Sequence, residues 1–249
     1  MRVLLVALLC LTYLLPALGS AAEGDVKLRH MSVDLSNKAS LQRGARAFAN
    51  YCLSCHAASH VRYKQVLPGL GLTAKEMRQN LMLPGRKIGD KMTVAMTHKE
   101  GKQWFGVAPP DLSNIERVRG ADWLYTYLTS FYLDSSRPTG VNNAIFPKVA
   151  MPDILWEMQG LQKPVYKTVK DADGISRKVI AGFKQVRKGK LSPAKSDRMV
   201  RDLVNFLAYM SAPYQKKSHL VGLWIILGLI LFTISSYFLK REYWKDVDH

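Results

Sequence analysis

Hydrophobic patterning divides this 249-residue sequence into three regimes. The first is the stretch 3–15, apolar and free of charge, preceded by Arg2 and followed by the small-residue run Gly19-Ser20-Ala21-Ala22 before Glu23. Its length and flanks are those of a secretory signal peptide, so residues 1–22 are predicted to be cleaved. The last regime is 220–239, a run of 20 residues without a charge, with Lys216, Lys217 and His219 before it and Lys240-Arg241 after it. At ~1.5 Å per residue it makes about 30 Å of helix, enough to cross a bilayer core. A buried core helix is the bland alternative, but such helices seldom lack every charge for so long. With basic residues on both flanks, the positive-inside rule is nearly silent. Orientation follows from the signal peptide: residues 23–219 are exported and the tail 240–249 stays inside.

Between these ends the period is mainly helical. Leu41, Ala45, Phe48 and Cys52 recur at helical spacing after the capping candidates Ser36 and Asn37, which predicts a helix running into a cysteine motif. Thr73-Ala-Lys-Glu76 is a capping-box pattern, and Pro84-Gly85 stops the short helix it opens. Trp123, Leu124, Tyr127, Leu128 and Phe131 form the apolar face of another helix, closed by Pro138-Thr139-Gly140. Met199, Val200, Leu203, Phe206, Leu207 and Met210 line the last one, between Pro193 and Pro213. The stretch 163–190 differs: Val165, Lys167 and Val169 alternate, Asp171-Ala-Asp173-Gly174 turns, and Ile175, Val179 and Ile180 continue, which predicts a β-hairpin. Asp171 and Asp173 resemble the start of a calcium loop, but the later ligands are absent.

The cysteines sharpen this picture. Cleavage near Ala22 removes Cys10 and leaves Cys52 and Cys55. They stand in Cys52-Leu53-Ser54-Cys55-His56. Two cysteines three apart at a helix end can reach the two vinyl groups on one edge of a porphyrin, and the next histidine is placed to ligate the iron. Zinc would require further cysteines or a histidine pair at finger spacing, and the remaining chain has neither. A thioredoxin-like dithiol would need a βαβ context, which is missing. The motif therefore predicts one covalently bound haem c, with His56 as an iron ligand.

The sixth ligand is less defined by spacing. His60 follows His56 too closely to reach the opposite face of the same iron. His98 is a candidate, and His219 lies at the membrane edge. Met77, Met199 and Met210 fall on helical apolar stripes, where core packing explains them. Met151 sits instead in Val149-Ala150-Met151-Pro152, a non-helical connection stiffened by proline. From the residues alone it leads Met96 and His98 without excluding them.

The haem motif, Gly106-Val-Ala-Pro-Pro-Asp-Leu-Ser113 about fifty residues later, Ala150-Met151-Pro152 and the single C-terminal span together resemble the cytochrome c1 family of the quinol–cytochrome c reductase (cytochrome bc1) complex, in its bacterial form. That resemblance implies a mainly α, cytochrome c-like haem domain with long loops, a small β-hairpin insertion and one transmembrane helix. It implies thioether bonds from Cys52 and Cys55, axial ligation by His56 and Met151, packing of Pro109 and Pro110 on the haem edge, and Arg119 as partner of a haem propionate. It further implies a single-pass protein of the bacterial inner membrane, its haem domain in the periplasm. Its partners would be a cytochrome b, a Rieske iron–sulfur protein as donor and a soluble or tethered c-type cytochrome as acceptor. Such a chain carries electrons and catalyses no bond-making step by itself. A membrane-anchored cytochrome serving a terminal oxidase or a periplasmic dehydrogenase would share the haem motif and anchor but has no reason to carry Pro-Pro-Asp-Leu-Ser. A haem enzyme or gas sensor would need an open or displaceable sixth position.

Two features depart from that family. Many relatives have a second proline after the methionine, where this chain has Asp153. Relatives also often present an acidic face, whereas the net charge here is +17. The segment 163–190 concentrates it, with nine lysines and arginines against two aspartates. Nucleic-acid binding is excluded by export and by the lack of interleaved aromatic residues. Anionic lipid headgroups, an acidic electron acceptor or simple solvation remain.

Overall fold

A computed structural model describes residues 26–170 and 176–246 of the chain. The expected signal peptide and the Asp171-Ala-Asp173-Gly174 turn lie outside the described residues. The chain divides into two compact units. One comprises residues 30–125 and 191 onward; the other comprises 126–190 with the stretch up to Arg29.

The larger unit is built on two closely packed helices, α1 (Lys38–Ala47) and the late helix Pro193–Ser211. Asn37 caps α1, its side chain accepting from the Ser40 amide at 3.0 Å. Gly44 lets the helices approach, because a Cβ there would run into the Asp202 carbonyl and the Phe206 side chain. One turn on, the Phe48 and Phe206 rings meet with centroids 5.6 Å apart. Leu41, Phe48, Val200, Leu203, Phe206 and Leu207 are all buried, each contributing roughly 1.5–3 kcal/mol by leaving water. A carboxylate is buried in the same interface: Asp202 accepts from Ser40 Oγ at 2.6 Å and from Arg43 at 2.6 and 3.0 Å. Asn205 closes the loop before α1, exchanging hydrogen bonds with the backbone of Asp34 at 2.8 and 2.9 Å.

After α1 the chain widens into one π-helical turn, Phe48–Cys52, closed by the Leu53 amide on the Phe48 carbonyl, that carries it into the cysteine motif. The strand β1 (Ala58–Arg62) pairs antiparallel with β2 (Lys91–Met92), and between them lie α2 (Tyr63–Leu70) and α3 (Ala74–Asn80). The Thr73–Glu76 capping box expected from the sequence opens α3. Next come α4 (His98–Phe105), α5 (Ile115–Arg119) and α6 (Ala121–Thr129). The helix expected to extend to Phe131 ends at Thr129, and Phe131 opens a strand instead. Its ring is buried there against Val141 and Val149, so tertiary packing overrides helical spacing.

The smaller unit holds β3 (Phe131–Leu133) and β4 (Val141–Asn143), a short antiparallel pair, then α7 (Trp156–Gln159) and the long ribbon β5 (Gly160–Lys170) with β6 (Ser176–Lys188). The expected hairpin is therefore present, and its strands are the longest in the chain. Gly160 has φ +91°, and a Cβ there would strike the Arg187 backbone, so glycine is required where the ribbon begins. Gln162 anchors the ribbon by donating to the carbonyls of Thr129 and Phe131 at 3.2 and 2.7 Å.

The helix Pro193–Ser211 (α8) is followed after three residues by α9, Gln215–Tyr243. Within it, the 26-residue stretch Ser218–Tyr243 is long and apolar enough to cross a membrane, and none of its most apolar window is buried. A helix of this length and composition fits a membrane anchor.

Candidate haem-binding site

The cysteine motif forms a tight turn closed on itself. The amides of Cys55 and His56 donate to the Cys52 carbonyl at 3.1 and 2.8 Å. Both cysteines are free thiols, Cys52 buried and Cys55 half-buried. Burial pushes the Cys52 thiol up to about 12, with the neighbouring Cys55 adding to the effect. That environment opposes a thiolate, the form that ligates metals or attacks disulfides, and suits sulfur that stays neutral, as in a thioether.

His56 is oriented by the segment 109–113. Its Nδ1 lies 2.8 Å from the Pro110 carbonyl oxygen. A carbonyl only accepts, so Nδ1 carries the proton and Nε2 keeps its lone pair for a metal. Burial lowers the imidazole pKa, partly offset by the Pro110 hydrogen bond and by the charge of Asp111. Both effects of position, a fixed tautomer and a neutral ring, are what an iron ligand needs.

Pro-Pro-Asp-Leu-Ser is in turn stitched to the chain just after His56. The Leu112 amide donates to the Ala57 carbonyl at 2.8 Å. Asp111 receives the amides of Ser59 and Ser113, each at 2.8 Å, and the His60 amide donates to Ser113 Oγ at 3.0 Å. Partial burial of Asp111 works to raise its pKa, but the hydrogen bonds from Ser113 and Ser59 outweigh it and hold the carboxyl at about 2. Pro109 is packed from behind by α4, where a Cβ on Gly101 would collide with the proline ring. Arg119, at the end of α5, lays its guanidinium over Trp123 with 4.9 Å to the ring centroid. Stacking leaves the planar fork able to take a carboxylate.

Met151 belongs to the smaller unit. Half-buried, it packs with Tyr127 and Leu133 on the core of Phe131, Val141 and Val149. Its sulfur accepts a hydrogen bond from the Tyr127 hydroxyl at 3.5 Å. Burial pushes Tyr127 up to about 12, so the phenol keeps its proton and remains a donor. Two buried amides shape the loop before Met151. Asn143 Oδ1 caps the Ile145 and Phe146 amides at 3.1 and 3.2 Å, its Nδ2 donates to the Tyr127 carbonyl at 2.8 Å, and Asn142 Oδ1 takes the Lys148 amide at 2.8 Å. Lys148 has φ +62°, a left-handed conformation fixed by that bond and by Arg137 donating to its carbonyl at 3.0 Å. Asp153, two residues past Met151, is pushed up to about 6 by burial against one stabilising bond from the Leu155 amide.

Cys52, Cys55, His56, Pro109, Pro110 and Arg119 thus fall in the larger unit and Met151 in the smaller. His98, a rival for the sixth position, is the first residue of α4 and is exposed; Met96 precedes it in an irregular stretch. Asp111, Tyr127 and Asn143 support the site beyond the residues that the sequence predicts. Asp111-Leu-Ser113 carries the signature of an Asx turn, whereas nothing in the sequence marks Tyr127 as a donor to sulfur.

The chain is similar to several known proteins. Residues 85–247 match the family model described as Cytochrome C1 family. Cytochrome c1 of Allochromatium vinosum is 45% identical over 242 residues, covering 96% of this chain and 98% of that protein. A protein named ammonia monooxygenase gamma subunit, from Nitrosomonas europaea, is 40% identical over 240 residues, covering 96% and 97%. A chain of a hyperthermophilic respiratory Complex III aligns over 96% of this chain and 97% of its own at 17% identity, with a TM-score of 0.41. The first of these relatives spans the haem motif as well as the region of the family model, and proteins of the cytochrome c1 family carry one covalently bound haem c. This chain belongs to the cytochrome c1 family.

Proposed function

We propose that the chain is the haem-bearing electron-transfer subunit of a membrane-bound quinol–cytochrome c reductase, taking electrons from a Rieske iron–sulfur protein and passing them to a c-type cytochrome. The observation that carries this reading is the His56 Nδ1 to Pro110 carbonyl bond at 2.8 Å. It joins the haem motif to the Pro-Pro-Asp-Leu-Ser segment, the two sequence elements whose combination marks the family.

Haem c supplies a one-electron iron couple that changes charge without making or breaking a covalent bond. Around it each residue has a passive task. Cys52 and Cys55 would hold the macrocycle by thioether bonds. His56 offers Nε2, its ring held in one tautomer. Met151 offers a thioether, and Tyr127 holds that sulfur by its hydroxyl. Pro109 and Pro110 exclude water and present no N–H group. Arg119 supplies a cation for a propionate, which a partly buried carboxylate needs. His56 and Met151 would together hold the iron and leave no place for a substrate, and the haem so held would supply a raised-potential electron couple.

Orientation follows from the same chemistry. Residues 23–219 lie outside the cytoplasm, in the periplasm, with 220–239 spanning the inner membrane and 240–249 inside. The support is the signal-peptide pattern of residues 1–22 and the haem motif, whose covalent attachment takes place after export. A cytochrome b and the Rieske protein are the expected membrane neighbours.

Purification through a C-terminal tag under mild detergent tests this reading. Recovery with a b-type cytochrome and a Rieske protein is the expected result, together with a low-spin spectrum that carbon monoxide does not perturb. Recovery with a haem–copper oxidase, or a high-spin ferric form, contradicts it.

A further inference from the structure

The ribbon β5–β6 concentrates charge in a way that folding alone does not explain. Its two strands carry Lys163, Lys167, Lys170, Arg177, Lys178, Lys184, Arg187 and Lys188, and no aspartate or glutamate. Lys163 and Lys184 are directly paired across the strands. Side chains so placed have Cβ atoms roughly 5 Å apart, and like charges there destabilise a sheet.

The faces of the ribbon are distinguishable within its own unit. Gln162 and Phe183 lie on the inner face, one bonded to the carbonyls of Thr129 and Phe131, the other stacked on Tyr132 at 6.3 Å. Alternation along the strands puts Lys163, Val165 and Lys184 on the opposite face, and all three are exposed. Arg187, paired with Leu161 one step nearer the base, shares that face. Its guanidinium is held over the Trp156 ring, 5.1 Å from the centroid. Among the described residues no carboxylate pairs with Lys163, Lys184 or Arg187, whereas Lys190 at the ribbon's base is neutralised by Glu157 at 2.7 Å.

We infer that this outward face is a docking surface for an acidic protein, one bearing clustered carboxylates. The arrangement fits fixed carboxylates: a planar Arg fork pre-positioned by stacking, beside two lysines held together against their own repulsion. Anionic lipid needs only diffuse charge and gains from free aromatic or long apolar anchors. Among the described residues, the large exposed apolar side chains of the ribbon are only Val165, Tyr166 and Val186. The Trp156 ring beside them lies under the Arg187 guanidinium, so the fixed cationic fork and not an apolar anchor set distinguishes this face. The inference rests on the electron-transfer reading above and makes it more specific: the soluble partner reached through the ribbon is an acidic c-type cytochrome.

The test uses the intact membrane complex with its haem. The triple variant Lys163→Gln, Lys184→Gln, Arg187→Gln is compared with wild type for reoxidation of the reduced haem by two probes, a soluble c-type cytochrome of net negative charge and one of net positive charge. With the acidic probe at low salt, the second-order rate should fall at least about fivefold and its dependence on ionic strength should flatten, because steering is screened over about 8–10 Å at physiological salt. The rate with the basic probe should hold or rise, and the haem spectrum should be unchanged. An unchanged rate with the acidic probe at every ionic strength overturns the inference. So does unchanged acidic-probe kinetics accompanied by lost affinity for phosphatidylcholine–phosphatidylglycerol vesicles, which assigns the ribbon to lipid. If wild-type haem is reoxidised by neither probe, the electron-transfer reading itself fails, and the docking surface with it.

Discussion

The two halves of the proposed haem site are held by different means. On the histidine side, two short segments some fifty residues apart are joined mainly through backbone groups: Leu112 N–H to the Ala57 carbonyl, Nδ1 of His56 to the Pro110 carbonyl, and the Ser59 and Ser113 amides to the Asp111 carboxylate. On the methionine side, two buried side-chain amides do that work. Asn142 and Asn143 bind the loop that leads to Met151, and a left-handed Lys148 completes it. The first arrangement depends on two recognisable motifs brought together across some fifty residues of chain, the second on side chains local to one loop whose role appears only when its turn has formed. Mutations should therefore damage the two sides by different routes.

The largest effect is expected at the helix pair that supports the cysteine turn. Gly44→Ala places a methyl group against the Asp202 carbonyl and Phe206, and backbone cannot yield as a flexible side chain does. A loss of about 3 kcal/mol is expected from such overpacking, with amide exchange rising across α1 and α8. Near-wild-type protection there would show that the close approach of these helices is not a constraint.

Asn143→Ala should come next. It leaves the Ile145 and Phe146 amides and the Tyr127 carbonyl without their partner in a fully buried position. About 2 kcal/mol is the expected cost, with exchange rising across β3, β4 and the loop to Met151. Asn143→Asp, which keeps the acceptor for the two amides but loses the donor, should be no better, since it adds a buried charge.

The smallest effect is a pH dependence. Asp111 is held at about 2 by its serine partners, below the ordinary carboxylate range. A depressed folded value means the contribution to stability is complete above the unfolded value, near 4, and is lost as pH falls from there toward 2. Thermal midpoints measured from pH 5 to pH 2 should fall, and Asp111→Asn should remove part of that slope. An identical slope in the variant would show that other carboxylates set the acid limit.

Much of this architecture can be read from the sequence, and the failures have physical causes. The helix into the cysteine motif is legible because Leu41, Ala45 and Phe48 keep one period up to Cys52, and the long terminal helix because it lacks charge. Thr97-His-Lys-Glu100 repeats the capping pattern of Thr73–Glu76 and opens α4 in the same way, so it is readable in the sequence as a helix start, with His98 inside that first turn. The pairs β1–β2 and β3–β4 have too few residues to show alternation. Phe131 keeps helical spacing yet belongs to a strand, since the core formed with Val141 and Val149 is non-local. At the site, the haem motif and Pro-Pro-Asp-Leu-Ser are contiguous and therefore visible. The Tyr127 to Met151 contact joins residues 24 apart, and a tyrosine on a helical apolar face reads as packing alone.

The central claim is that one chain supplies both axial ligands, His56 from the turn and Met151 from the loop. It is tested most directly by the absorption spectrum and reduction potential of haem-loaded protein carrying Met151→Leu, beside Met96→Leu as a control. Loss of the thioether-to-iron charge-transfer band and a sharply lowered potential in Met151→Leu, with Met96→Leu unchanged, is the predicted result. An intact band and potential in Met151→Leu, with both lost in Met96→Leu, would contradict it.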